Sequence, residues 1–272
     1  MGLKACGSLG VLVGLAALTA FAPIPRPTSP LATEVMSPHQ HAPMQRIGLP
    51  TTNGSVTSTN WSGYAVTGTG FTYAKGSWHV PGVDCAKTPN AYSAFWVGID
   101  GYSDNTVEQT GTVSQCVGGA AQYYAWYEFY PANSVLISTV PVGDGNIISA
   151  EVSYNGSDFK VTLTNEKTGK SYSKSVAVSG AKRTSAEWIA EAPSSGGVIL
   201  PLADFVTANY GFDKTGIKNT NYASDSAVTG PISDFGTHVE KITMETTSLI
   251  KKAVPGSLTT DGSSFTVTWK HI

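Results

Sequence analysis

From residue 61 onward, short runs of β-branched and aromatic residues alternate with Gly, Pro, Asn and Asp. This is the rhythm of an antiparallel all-β protein rather than of βαβ units, and helix is nearly absent from the pattern. It predicts strands at 61–67, 71–80, 91–99, 107–113, 121–130, 135–140, 147–154, 159–165, 171–178, 185–191, 238–246 and 264–270. Asn155-Gly156 predicts a two-residue hairpin of type I′, whose central positions both take positive φ. Residues 166–169 predict a looser hairpin. In the last strand Phe265, Val267 and Trp269 alternate with Thr266, Thr268 and Lys270, so one side is expected to be buried. Residues 203–233 lack periodicity and read as long surface loops flanking a cleft. No repeat of fixed period is visible.

The N-terminus breaks this pattern. Lys4 precedes an apolar, small-residue run from Ala5 to Ala22 that stops at Pro23, which reads as a secretory signal peptide over residues 1–22. No other stretch approaches the ~20 apolar residues of a membrane span. Residues 23–55 are rich in Pro, Thr, Ser, His and Gln and read as a propeptide or disordered leader, with seven prolines set against regular structure. Residues 56–272 form the expected single domain. The expected location is extracellular, with no membrane attachment once the signal is removed.

Charge is sparse, at 13% of residues against roughly 25% in an ordinary domain. Lys4, Arg26, Arg46 and Glu34 are the only charges of the first 52 residues, which leaves 14 basic against 18 acidic groups from totals of 17 and 19. Without a basic patch, nucleic acid is not an expected partner. Cys6 falls in the signal segment, so Cys85 and Cys116 remain as an even pair and predict one disulfide. The histidines form no HExxH-like cluster, so no metal and no cofactor are expected.

Two predicted strands carry carboxylates in aromatic company. The period of two puts Trp126, Glu128 and Tyr130 on one face of the first, and Glu187, Ile189 and Glu191 on one face of the second. A carboxyl on such a face is either paired or has a raised pKa, as general acid–base work in acid requires. Gln109, in Val107-Glu108-Gln109-Thr110-Gly111, means little alone, since most strand glutamines are surface residues or cross-strand hydrogen-bonders.

Five segments in order change that reading: Asn60-Trp61-Ser62-Gly63; Phe95-Trp96-Val97-Gly98-Ile99-Asp100-Gly101; Gln109-Thr110-Gly111; Ala125-Trp126-Tyr127-Glu128-Phe129-Tyr130-Pro131; and Ala186-Glu187-Trp188-Ile189-Ala190-Glu191. Together they resemble the glutamic peptidases, or eqolisins, over most of residues 58–205. The resemblance implies a concanavalin-like β-sandwich of two seven-stranded antiparallel sheets with a catalytic cleft on a concave face. It implies a catalytic Gln109 and Glu191, with Trp61, Trp96, Asp100, Glu128 and Tyr130 at positions that line or support the cleft. It also implies polypeptide substrates and hydrolysis in acid; a monomer is expected. Two departures stand out: the cysteines are fewer than fungal members often carry, and Glu108 places an acid beside the glutamine.

Two readings of other classes compete. Glu128 and Glu191 on an aromatic sheet also suit a glycoside hydrolase, whose retaining form needs carboxyls about 5–5.5 Å apart. A lectin-like module would use the aromatics only for stacking. Gly-x-Ser-x-Gly elbows with partners and phosphate-binding glycine loops are not evident.

Overall fold

The computed structural model describes residues 1–3, 34–48 and 54–271. The chain divides into two units, Met1–Thr33 and Glu34–Ile272. Residues 4–33, which hold all but the first three residues of the predicted signal peptide and the first part of the leader, lie outside the described residues, and everything below concerns the second unit.

In chain order the strands are β1 (Arg46–Ile47), β2 (Ser55–Ser58), β3 (Trp61–Thr67), β4 (Tyr73–His79), β5 (Ala91–Ile99), β6 (Val107–Val117), β7 (Ala120–Tyr130), β8 (Val135–Leu136), β9 (Ile147–Tyr154), β10 (Phe159–Asn165), β11 (Lys170–Val176), β12 (Ser185–Glu191), β13 (Ser194–Ser195), β14 (Val198–Ile199), β15 (Thr207–Tyr210), β16 (Tyr222–Ser224), β17 (Thr229–Pro231), β18 (Val239–Glu245), β19 (Lys251–Pro255) and β20 (Phe265–Trp269). One layer runs β7–β6–β5–β12–β3–β18 and the other β11–β10–β9–β4, continued by β15 and β16 on β4 and by β20 on β15. The pairing of β18 with β19 joins the two. All these pairs are antiparallel; β2 on β18 is parallel.

The period of two sorts the first layer into two faces. One face sends Phe95, Val97, Ile99, Trp188 and Phe129 into the main core, with Trp78, Ile148, Val152, Val161 and Leu163 of the other layer. Burial of each such side chain stabilises the fold by roughly 1.5–3 kcal/mol. Gly76 on β4 makes the close approach possible: a Cβ there would lie 2.9 Å from the Trp188 ring and 3.2 Å from Val97. The Trp188 indole N–H then donates to the Lys75 carbonyl at 2.9 Å. The other face carries a second apolar cluster built on Trp61, Trp96, Trp126, Val113 and Ile189.

The predicted strands 91–99, 147–154, 159–165 and 185–191 appear with those bounds. Two expectations are corrected. The 203–233 segment is not surface loop: it contains β15, β16 and β17, and it buries Phe205, Tyr210, Ala223 and Ile232. The Asn155-Gly156 turn is not a two-residue hairpin either. Tyr154 pairs with Phe159, so four residues form the loop. Asn155 Oδ1 accepts the N–H groups of Ser157 and Asp158 at 2.9 and 2.8 Å, a capping interaction that favours the longer turn. Residues 166–169 do form the second hairpin loop, between Asn165 and Lys170. Cys85 and Cys116 are disulfide-bonded, tying the segment after β4 to the end of β6.

Candidate active site

Cross-strand register builds the site on the second face. Gln109 on β6 stands opposite Glu128 on β7 and opposite Gly98 on β5, and Gly98 in turn faces Glu187 on β12. The next rank holds Ile189, Trp96, Gly111 and Trp126, and the one after it Glu191, Ala94, Val113 and Tyr124. Gly111 lets the two tryptophans flank one another, because a Cβ there would come within 2.3 Å of the Phe95 carbonyl oxygen and 2.5 Å of Trp96 Cβ.

Gln109, Glu128, Glu187 and Glu191 are all buried. Gln109 Nε2–H donates to Glu128 Oε2 at 3.1 Å, and the Trp96 indole N–H donates to Glu191 Oε2 at 2.9 Å. Burial pushes the Glu128 and Glu191 carboxyls well above the usual carboxylate range; the Trp96 N–H pulls Glu191 part of the way back by favouring its ionised form. Trp96→Phe removes that donor, so the Glu191 pKa rises. Where activity needs ionised Glu191, the acid limb of the pH–rate profile then moves to higher pH, and an unmoved limb would show that this hydrogen bond does not tune the base.

The leader runs through this site. Ser37 and Gln40 bond to the backbone of Ser134 and Ser194, Tyr127 and Lys174 both hold the Glu34 carboxylate, and β1 pairs with β2. At the centre, the His41 carbonyl accepts from Gln109 Nε2 at 2.5 Å, its N–H donates to Glu128 Oε2 at 2.8 Å, and its Nδ1 lies 2.8 Å from Glu191 Oε2. The imidazole stacks on Trp126 with ring centroids 3.4 Å apart and 8° between planes. Burial lowers the His41 pKa as it raises that of Glu191, so the pair holds one proton jointly and as neutral groups. Beyond His41, the Ala42 carbonyl accepts from Trp61 Nε1 at 3.1 Å and Asn60 Nδ2 at 3.3 Å, and the Pro43 carbonyl from Asn60 Nδ2 at 3.1 Å.

Among the residues expected from sequence, Gln109, Glu128, Glu191, Trp61 and Trp96 therefore surround one peptide segment. Tyr130 lies two residues beyond Glu128 and packs against the same cluster. Asp100 does not reach the dyad. Its carboxylate accepts the backbone N–H groups of Lys182, Arg183 and Thr184 at 2.7–2.8 Å and so shapes the turn that leads into β12. Sequence reasoning gave Trp126 and Asn60 places in motifs but no role in the site, and did not name Ser194. The first sits two residues before Glu128 and the second begins the Trp61 motif, so both were open to the same pattern; nothing in the sequence marks Ser194. No group of acidic, His or Cys residues among the described residues forms a metal-binding cluster.

The two-layer antiparallel β-sandwich thus holds a buried carboxyl and a carboxamide on one face, both bonded to a peptide segment. Residues 59–257 match the Peptidase A4 family, and the chain belongs to it, among the glutamic endopeptidases. It is 28% identical over 197 residues to aspergillopepsin-2 of Aspergillus niger, covering 64% of this chain and 67% of that one. With scytalidopepsin B of Scytalidium lignicola it shares 34% identity over 137 residues, 48% of this chain and 51% of the other. Thus the matched part spans two thirds of one relative and about half of the second. Among solved structures, scytalido-glutamic peptidase with a transition-state analogue inhibitor has the same fold, with a TM-score of 0.64, 23% identity, and coverage of 78% of this chain and 98% of that one. Aspergilloglutamic peptidase from Aspergillus niger superposes with a TM-score of 0.56 and 26% identity, over 66% and 99% of the two chains.

Proposed function

We propose that this chain is a secreted acid endopeptidase, made as a zymogen, that cleaves peptide bonds with Gln109 and Glu191. The observation that carries the reading is a length of its own peptide backbone lying on that pair, with a carbonyl on the Gln109 amide and the next contact on Glu191. The Gln109 N–H stabilises the charge that develops on a carbonyl oxygen, and its own carbonyl orients water. Glu191, when ionised, takes a proton from that water; hydroxide adds to the scissile carbon, and Glu191 then gives the proton to the departing amine. Glu128, bonded to the same amide, fixes the orientation of the Gln109 side chain. The Lys4-led apolar run supports export, and the matched family supports peptide over carbohydrate substrates.

The zymogen reading rests on His41, whose imidazole takes the place beside Glu191 that an attacking water needs. Docked, His41 and Glu191 share one proton. Free, His41 binds its own proton below its ordinary 6.5, and Glu191, relieved of the burial the leader adds, takes one up only at lower pH than in the docked pair. Once the pH is low enough to protonate Glu191 beside an already protonated His41, the free pair holds one proton more than the docked pair, and docking then weakens by up to about tenfold per pH unit as the pH falls further. His39, pushed down to about 4 by burial, acts in the same direction. A lowered folded pKa contributes stability above 6.5 that is lost as pH falls. Glu128, raised by burial, keeps its proton in the docked state, so it strengthens docking as the pH falls toward the ordinary carboxylate range and adds no further pH dependence below it.

The test is proteolysis of a denatured protein by full-length chain between pH 2 and 7, with pepstatin and a metal chelator present. Cleavage in acid that survives both, preceded by loss of the leader, is the expected result. No cleavage at any pH would overturn the reading. His41→Ala removes the plug, so its activity is expected to begin about one pH unit or more above that of wild type in the same assay; an identical onset would separate His41 from inhibition.

A further inference from the structure

The leader also shows how an extended peptide is read along this face, and this inference rests on the peptidase reading above. Its backbone is held without regard to side chain. Gln40 and Ser194 exchange N–H···O bonds in both directions at 2.9 Å, the next carbonyl sits on Gln109, and the two after that sit on Trp61 and Asn60. In that register the bond presented to the dyad is His41–Ala42. The Gln40 side chain points to the rim, where Nε2 reaches Asn133. His39, two residues before the presented carbonyl, goes inward.

His39 is buried to 5% exposure between two tyrosines. Its ring meets the Tyr92 ring edge-on at 4.7 Å, and Nδ1 lies 2.8 Å from the Tyr124 hydroxyl. Tyr124 stands on β7 in the rank of Glu191 and Tyr92 on β5 one rank further, both on the site face. We propose that Tyr92 and Tyr124 form a specificity subsite that takes a flat, uncharged side chain at the third position before the bond cleaved. The edge-on geometry suits an aromatic or imidazole ring, and the hydroxyl gives an imidazole nitrogen a partner. The groups facing this position are Tyr92, Tyr124, the Ser37 hydroxyl on the His39 backbone, and His41; no acidic side chain bonds to the His39 ring among the described residues. A lysine or arginine there would be desolvated without a counter-charge. Tyr124 is itself held neutral, its pKa pushed up to about 12 by burial.

The experiment compares nine-residue peptides of one sequence that differ only at this position (Phe, His, Lys or Ala), using acid-processed wild-type enzyme at pH 3, 4 and 5 and locating the cut by mass spectrometry. The Phe peptide is expected to exceed the Lys and Ala peptides about tenfold or more in kcat/KM at each pH. The His peptide should gain on the Phe peptide as pH rises, by up to tenfold per unit above about 4, because a charged imidazole is excluded. Tyr124→Phe should lower the His peptide at pH 5 and leave the Phe peptide unchanged, a split that a merely structural tyrosine would not produce. Equal rates for all four peptides, or a Lys peptide as good as Phe, would overturn the subsite while leaving the peptidase standing. If no peptide of the set is cut in acid, both fall together.

Discussion

Glu191→Gln is expected to lower kcat for peptide cleavage in acid by about a thousandfold or more, and Gln109→Ala by about a hundred- to a thousandfold. The first figure follows from losing the only proton acceptor at the attacking water, and the second from losing one oxyanion donor, typically ~3–4 kcal/mol of barrier. Because the two groups act on one transition state, the double variant should be little worse than Glu191→Gln alone. Each variant has its leader removed by traces of tagged wild type, which are then withdrawn, so that failure to mature is not read as failure of chemistry. The structure supplies its own control. Glu187 stands on the same face as Glu191 and in the rank of Gln109, separated from it by Gly98, and its carboxyl oxygens have no hydrogen-bond partner among the described residues. If Glu191→Gln keeps most of the activity and Glu187→Gln loses it, the base has been misassigned by one turn of the strand pattern. Contacts of Glu191 with Trp96 and His41, and the absence of both at Glu187, are the reason for choosing Glu191.

That choice shows how far the sequence reaches. The two-residue period placed Trp126 with Glu128 and Glu187 with Glu191 on shared faces, and the structure agrees, since each lies within a regular strand that has one core-facing side. Period alone does not say which strand lies next to which. Gln109 and Glu191 both reach His41 because β5 lies between β6 and β12, with Gly98 and Ala94 leaving room over it. Such register is set by long-range packing, and only the motif resemblance brought those residues together beforehand. In the leader, composition gives no sign of which residues lie along the sheet. Pro38 and Pro43 argue against a ladder, yet a backbone that is bonded at Gln40 and Met44 needs nothing from the proline nitrogens. The 203–233 segment fails differently: Phe205, Tyr210 and Ile232 are each buried singly among Gly, Asn and Thr, so no periodicity announces them.

Stability is expected to fall steadily as the pH rises from about 4.5 toward 9, and a second set of buried acids is the cause. Glu108 and Glu187 are fully buried, close to Asp100 and Asp104. Burial chiefly, with the neighbouring carboxylates, pushes Glu108 up to about 9 and Asp100 up to about 6, and drives Glu187 upward as well. A raised folded pKa means that the native state keeps a proton the unfolded chain gives up. Its contribution is complete below the unfolded value and disappears as pH climbs to the folded one, at ~1.4 kcal/mol per pH unit for each group in its window. Glu108 alone costs on the order of 3 kcal/mol between pH 5 and 7, a large share of the stability of many domains, and Glu187 adds in the same direction. Denaturant midpoints measured at pH 3, 5 and 7 should therefore be highest in acid. Glu108→Gln cannot ionise, so it should match wild type within about 1 kcal/mol at pH 3, exceed it at pH 7, and reduce the slope by one proton. If its slope equals that of wild type, Glu108 ionises as freely in the fold as in water, and the acid preference of this protein would have to lie in the dyad alone.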